Sequence, residues 1–126
     1  MNIPSIPFMK SLTETLPMNK RLKKALYITL MILVIGFLIP QSYQMPVQGA
    51  TIKSYAQNSY WAYPWGKSVT HKGVDIFAKK GTLIHAATYG IVIFKGQISM
   101  GGNVVLVLGP KWRLHYYAHL DRITTG

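Results

Sequence analysis

The chain has 126 residues, enough for one domain, and no cysteine, which excludes disulfides and thiolate metal sites and leaves any metal to His, Asp and water. Its 14 Lys and Arg against three acids give a formal net charge of +11. Four of those cations precede an apolar run and those beyond residue 50 are scattered, with no helix-turn-helix, finger or aromatic RNA-binding signature, so no nucleic-acid partner is expected.

Residues 1–24 read as a basic cytoplasmic N-terminus, closed by Lys20, Arg21, Lys23 and Lys24. The apolar run from Ala25 to Ile39 follows, then Pro40, and no charge recurs until Lys53. The run lies at the upper end of a signal-peptide core and short of the roughly 20 residues that span a bilayer comfortably. Basic residues before such a run predict that 25–40 is a transmembrane or signal segment and that the remainder is exported, facing the periplasm or cell exterior. Gln48 stands where a cleavage site ending at Ala50 wants a small residue, which favours an uncleaved inner-membrane anchor over a secreted form. Met18 offers an alternative start, MNKRLKKALYITL, with a more ordinary signal.

Residues 41–58, with Gln, Ser, Pro and Gly and no sustained period, read as a linker. From 59 to 126 the pattern is β. Leu83–Ala86, Ile91–Phe94 and Val104–Leu108 are short apolar runs separated by Tyr89-Gly90, Met100-Gly101-Gly102 and Gly109-Pro110. Trp112 to Leu120 alternates, placing Leu114, Tyr116, Ala118 and Leu120 on one face and Arg113, His115, Tyr117 and His119 on the other. There is no internal repeat or heptad, and nothing specifies an oligomeric state. Lys79 and Lys80, before Gly81, read as a solvated turn. The stretch Tyr60-Trp61-Ala62-Tyr63-Pro64-Trp65 is expected to pack as an entry strand, with a platform for sugar rings or peptide stems as the alternative.

The chemistry concentrates in THKGVDIFAKKGT, residues 70 to 82, where His71 and Asp75 flank Gly73. Asp75 is the one carboxylate in the middle of the chain, the other acids being Glu14 and Asp121. In a straight strand residues four apart lie about 13 Å from each other, too far for one metal. A bend at Gly73, which takes positive φ without steric cost, would bring the two side chains together. On spacing alone the motif reads first as a histidine hydrogen-bonded to a nearby carboxylate and second as a pair of zinc ligands, since His and carboxylate donors at about 2 Å suit Zn²⁺.

The segment WGKSVTHKGVDIFAKKGT resembles the first metal-binding segment of the lysostaphin and LytM-type zinc endopeptidases, and GGNVVLVLGPKWRLHYYAHLDR resembles their second active-site strand. Both occur in the family's order, and the similarity runs from about Trp65 to Gly126. The resemblance implies a mostly β fold, an antiparallel-sheet peptidase domain here incomplete at its C-terminus, following a signal-anchor helix. It implies Zn²⁺ as cofactor, His71 and Asp75 as its ligands, and His119, in YAHL, as a catalytic histidine that orients the attacking water or stabilises the developing oxyanion. The implied substrate is the peptide stems or crosslinks of peptidoglycan. The family completes its site with an HxH pair that supplies the third ligand and a second catalytic group, and no HxH occurs in residues 1–126. This chain is therefore expected to be catalytically silent, with a non-catalytic role as a binder or activator of cell-wall hydrolases as the alternative. His115 lies four residues from His119, roughly 13 Å along a strand, and His85 sits in an apolar run, so neither is expected to join the metal.

Overall fold

A computed structural model describes residues 19–124, so most of the expected cytoplasmic N-terminus and the alternative start at Met18 lie outside the described residues. These residues form two compact units, one ending at Phe37 and one running from Leu38 onward. The first holds helix α1, Lys20–Leu38. Asn19 caps it: its Oδ1 accepts from the Leu22 amide at 2.8 Å, satisfying a donor that a helix start leaves without a partner, and its carbonyl accepts the first helical bond, from Lys23 at 3.1 Å. Pro40 disfavours helical geometry for the residue before it, and α1 ends at Leu38. Leu26, Tyr27, Leu30, Met31, Leu33 and Phe37 are all exposed, so α1 lacks a single buried stripe. Among the described residues, however, no helix is long and apolar enough to cross a membrane. The reason is the first turn: Lys20, Arg21, Lys23 and Lys24 leave an apolar stretch of about 21 Å from Ala25 onward, against a hydrocarbon core of about 30 Å.

The second unit is built on a three-stranded antiparallel sheet of order β1-β2-β3, with β1 Ile91–Ile98, β2 Gly102–Leu108 and β3 Leu114–Leu120. The central strand carries the core. Val104, Val105 and Val107 are buried, and because successive side chains point to opposite faces, β2 is covered on both sides. Two short connections set the order. Gly101-Gly102 turns β1 into β2, with Gly102 at φ +62, and a 3-10 turn at Pro110–Trp112 turns β2 into β3. Trp112 belongs to that turn, at φ 57, so β3 begins two residues later than its alternation suggests.

Leu83–Ala86 does not form a strand. It makes one isolated bridge, Ile84 to Val47, with His85 donating to the Pro46 carbonyl at 2.7 Å and Gln48 donating to Leu83 at 3.0 Å. The partner segment cannot extend the ladder, because Pro46 has no amide proton and the chain turns away at Gly49, φ +73. Nor is 41–58 a free linker. Besides those bonds, Gln44 donates to the Ala87 carbonyl at 2.8 Å and Tyr55 bridges Ile76, so the segment is strapped along the chain by its backbone.

β3 carries a second departure. Val105 pairs with Tyr117 and Asn103 with Leu120, so three steps on β3 match two on β2: a bulge with one extra residue. The bulge contains His119, whose φ is 58. Leu120 takes the register position that simple alternation assigns to His119, and burial follows, with Leu114, Tyr116 and His119 exposed while His115, Tyr117 and Leu120 are half-buried. His115 and His119 therefore do not share a face.

Candidate metal centre

His71 and Asp75 are positioned by two short pieces of backbone pairing rather than by a regular element. At the first, Trp61 donates to the His71 carbonyl at 2.7 Å and His71 donates to the Ala62 carbonyl at 2.9 Å. At the second, Ala56 donates to the Asp75 carbonyl at 3.0 Å and Phe77 to the Ser54 carbonyl at 2.8 Å, around the Tyr55–Ile76 bridge. The strap 54–62 thus grips 71–77 at both ends. Gly73 lies between them without entering the left-handed region, and a Cβ there would meet His71 Nε2 at an ordinary 3.5 Å. The convergence therefore comes from the strap and not from a left-handed glycine, contrary to the reading of Gly73 as the source of the bend.

The imidazole is oriented from behind. His71 Nδ1 donates to the Ser59 carbonyl at 2.7 Å, and because a carbonyl only accepts, Nδ1 carries the proton. Nε2 is left directed at Asp75 Oδ1, 3.6 Å away. That separation exceeds a hydrogen bond, so the pair is not the histidine–carboxylate hydrogen bond that spacing alone suggested first. It matches two donors on one ion: ligands about 2 Å from a tetrahedral zinc lie roughly 3.3 Å from each other. The proton on Nδ1, held by a backbone carbonyl, is the arrangement that metal-ligating histidines ordinarily have. Both side chains are partly open, 17% and 34% exposed, so an ion and its waters can reach them. Trp65 stacks on the His71 ring with centroids 4.2 Å apart and planes at 29°.

Ser59, behind the pair, is 5% exposed, and sequence reasoning missed it. Its Oγ donates to the Ala56 carbonyl at 2.7 Å and accepts the Asp75 amide at 3.0 Å. Trp65 was within the aromatic stretch but had no assigned contact. The other rings of that stretch are not packed away: Tyr60, Trp61 and Tyr63 are exposed, and Tyr60 stacks on Trp61 at 5.5 Å and 15°. The stretch is therefore a series of turns and not the expected entry strand, tied to His71 by two backbone hydrogen bonds.

His119 is anchored by its amide, which donates to the Gly101 carbonyl at 2.7 Å. Gly66, next to Trp65, lies against Met100, next to Gly101, since a Cβ on Gly66 would sit 3.6 Å from Met100 Cε. This contact links the turn beneath His71 to the turn that holds His119. Among the described residues no three His, Asp or Glu side chains gather closely enough to hold a metal, so His119 does not join His71 and Asp75 as a ligand. His85 is exposed, and His115 approaches Gln41 Nε2 at 3.3 Å and Tyr43 at a ring distance of 6.5 Å.

The second unit thus holds a half-open histidine–carboxylate pair, His71 and Asp75, and a further histidine, His119, on the bulged strand of its antiparallel sheet. Residues 69–126 match the family described as Peptidase family M23. The chain is 34% identical over 74 residues to the L-Ala–D-Glu endopeptidase of Bacillus subtilis (strain 168), an alignment covering 57% of this chain and 23% of that protein. It is 26% identical over 88 residues to the outer membrane antigenic lipoprotein B of Haemophilus influenzae (strain ATCC 51907 / DSM 11121 / KW20 / Rd), covering 62% of this chain and 22% of that protein. The aligned region thus spans less than a quarter of the length of either relative. No solved structure matches the chain.

Proposed function

We propose that this chain carries the first half of a zinc-dependent peptidoglycan endopeptidase site, with His71 and Asp75 as metal ligands and His119 as a catalytic histidine. The observation that carries the reading is the donor pair: Nε2 and Oδ1 are 3.6 Å apart, not hydrogen-bonded to one another, with the proton of His71 held on Nδ1 by a carbonyl. Zinc bound there would supply a more acidic water and a Lewis acid for a peptide carbonyl. The chain's own contribution is placement. Ser59 and Trp65 fix the imidazole, and His119, exposed on its bulge, is free to accept or return a proton beside a peptide substrate. The match to an M23 peptidase and a relative named as an L-Ala–D-Glu endopeptidase support peptide stems or crosslinks of the cell wall as substrate.

Two ligands make a weak catalytic site, since such zinc sites hold the metal with three protein ligands and keep the fourth position for water. The second reading is a non-catalytic domain that binds or activates cell-wall hydrolases. Purified cell walls decide between the two. The 126-residue chain with zinc is expected to release no peptide, whereas the chain extended after Gly126 by a family-like segment bearing HxH is expected to hydrolyse, and to stop on His71→Ala. Silence from a zinc-loaded extended chain overturns the hydrolase reading; hydrolysis by the unextended chain refutes the need for a third ligand.

The reading includes an envelope location with the domain on the far side of the membrane, through an anchor or signal in 25–40. The basic flank of α1 and a relative named as an outer membrane lipoprotein support it. A reporter active only outside the cytoplasm, fused after Gly126, is expected to be active; activity of a cytoplasm-only reporter at the same junction removes the cell wall as substrate.

A further inference from the structure

We propose that Ser59 is the positioning residue of the metal pair, the one residue that holds both ligands at once; the inference rests on the reading of His71 and Asp75 as that pair. His71 and Asp75 belong to one loop, with no regular element between them to fix their separation. Each is tied to Ser59 by a different group. The Ser59 carbonyl accepts from His71 Nδ1 at 2.7 Å and sets the ring's tautomer and orientation, while its Oγ accepts from the Asp75 amide at 3.0 Å and sets where the carboxylate leaves the backbone. Ser59 is itself fixed, because both its amide, at 3.0 Å, and its hydroxyl, at 2.7 Å, donate to the Ala56 carbonyl. Ala56 in turn donates to the Asp75 carbonyl at 3.0 Å, which closes the loop of bonds. At 5% exposure no water substitutes readily for any of these partners. Alanine or glycine here would lose the Oγ that accepts from the Asp75 amide while keeping the carbonyl that accepts from His71.

The two bonds separate genetically, because substitution removes Oγ and leaves the carbonyl. In the full chain, Ser59→Ala is expected to weaken zinc affinity by about 10- to 100-fold, the usual cost of losing an outer partner of a ligand. It is also expected to speed exchange of the Asp75 amide proton about tenfold, as one hydrogen bond is lost. The Nδ1-protonated tautomer of His71 should persist, since its acceptor is backbone. Nitrogen-15 NMR with a zinc chloride titration reads all three. Ser59→Thr, which keeps the hydroxyl at the cost of a methyl group, is expected to retain affinity within about threefold and a protected Asp75 amide.

A folded Ser59→Ala chain with parent affinity and parent amide exchange overturns the assignment, while the zinc reading stands if His71→Ala still loses binding. Should Ser59→Ala unfold, as judged by circular dichroism, Ser59→Thr decides: a folded threonine variant with the alanine-sized loss predicted for zinc affinity shows that the hydroxyl positions nothing. A parent chain that binds no more zinc than His71→Ala overturns the zinc reading itself, and the Asp75 amide and His71 tautomer then report on Ser59 without the metal.

Discussion

His71→Ala is expected to remove zinc binding from the 126-residue chain altogether, the largest effect of any single substitution on the site. Structural zinc sites with four protein ligands bind with about 10–16 kcal/mol, so one ligand is worth on the order of 3 kcal/mol, or roughly 10²-fold in affinity. A site with two protein donors starts far below a complete one and falls to a lone carboxylate when His71 is lost. Asp75→Asn, nearly isosteric, removes the negative charge and is expected to weaken binding by about the same factor. Calorimetry on the parent and both variants checks this. Tight, stoichiometric binding that survives His71→Ala would place the metal elsewhere, among groups that the structure does not bring together.

The parts of this site that the sequence displays are those whose chemistry is carried by side-chain type. His71 and Asp75 stand out because carboxylates are so few, and their separation is right for one ion. The strands stand out for the same kind of reason: Val104, Val105 and Val107 form a β-branched run bounded by glycines, and it is the buried centre of the sheet. What stays hidden is carried by the backbone. Spacing assigns the bend between His71 and Asp75 to Gly73, yet main-chain pairing of 54–62 with 71–77 creates it, and amides and carbonyls are the same in every residue. Ser59 acts partly through its carbonyl, so no spacing rule points to it. Leu83–Ala86 has the composition of a strand, but a strand needs a partner able to propagate the ladder, and Pro46 with the turn at Gly49 is not one. The extra residue that places His119 on another face from His115 is a matter of register against β2, legible only once Asn103 and Val105 have partners.

That bulge makes His119 a residue whose stability and activity effects are expected to point in opposite directions. Its φ of 58 lies in the left-handed region, which costs an L-residue about 1–2 kcal/mol and a glycine little. His119→Gly is therefore expected to leave the melting temperature unchanged or raise it, the relief of backbone strain being offset in part by the greater freedom of glycine in the unfolded chain. His119→Val, β-branched and unsuited to that conformation, is expected to lower stability by about 1–2 kcal/mol. On activity both fall together. In the chain extended with HxH, loss of a proton-transferring histidine is expected to cut hydrolysis of cell walls by about 10²- to 10⁴-fold, with zinc affinity unchanged because His119 is not a ligand. Thermal melts, zinc titration and hydrolysis on the same three proteins separate the possibilities. A glycine variant that is more stable, zinc-competent and inactive means that the strain is retained because it aims the imidazole at the substrate. A glycine variant with full hydrolysis shows that His119 is only the residue that closes the bulge, and the proton transfer belongs to another group.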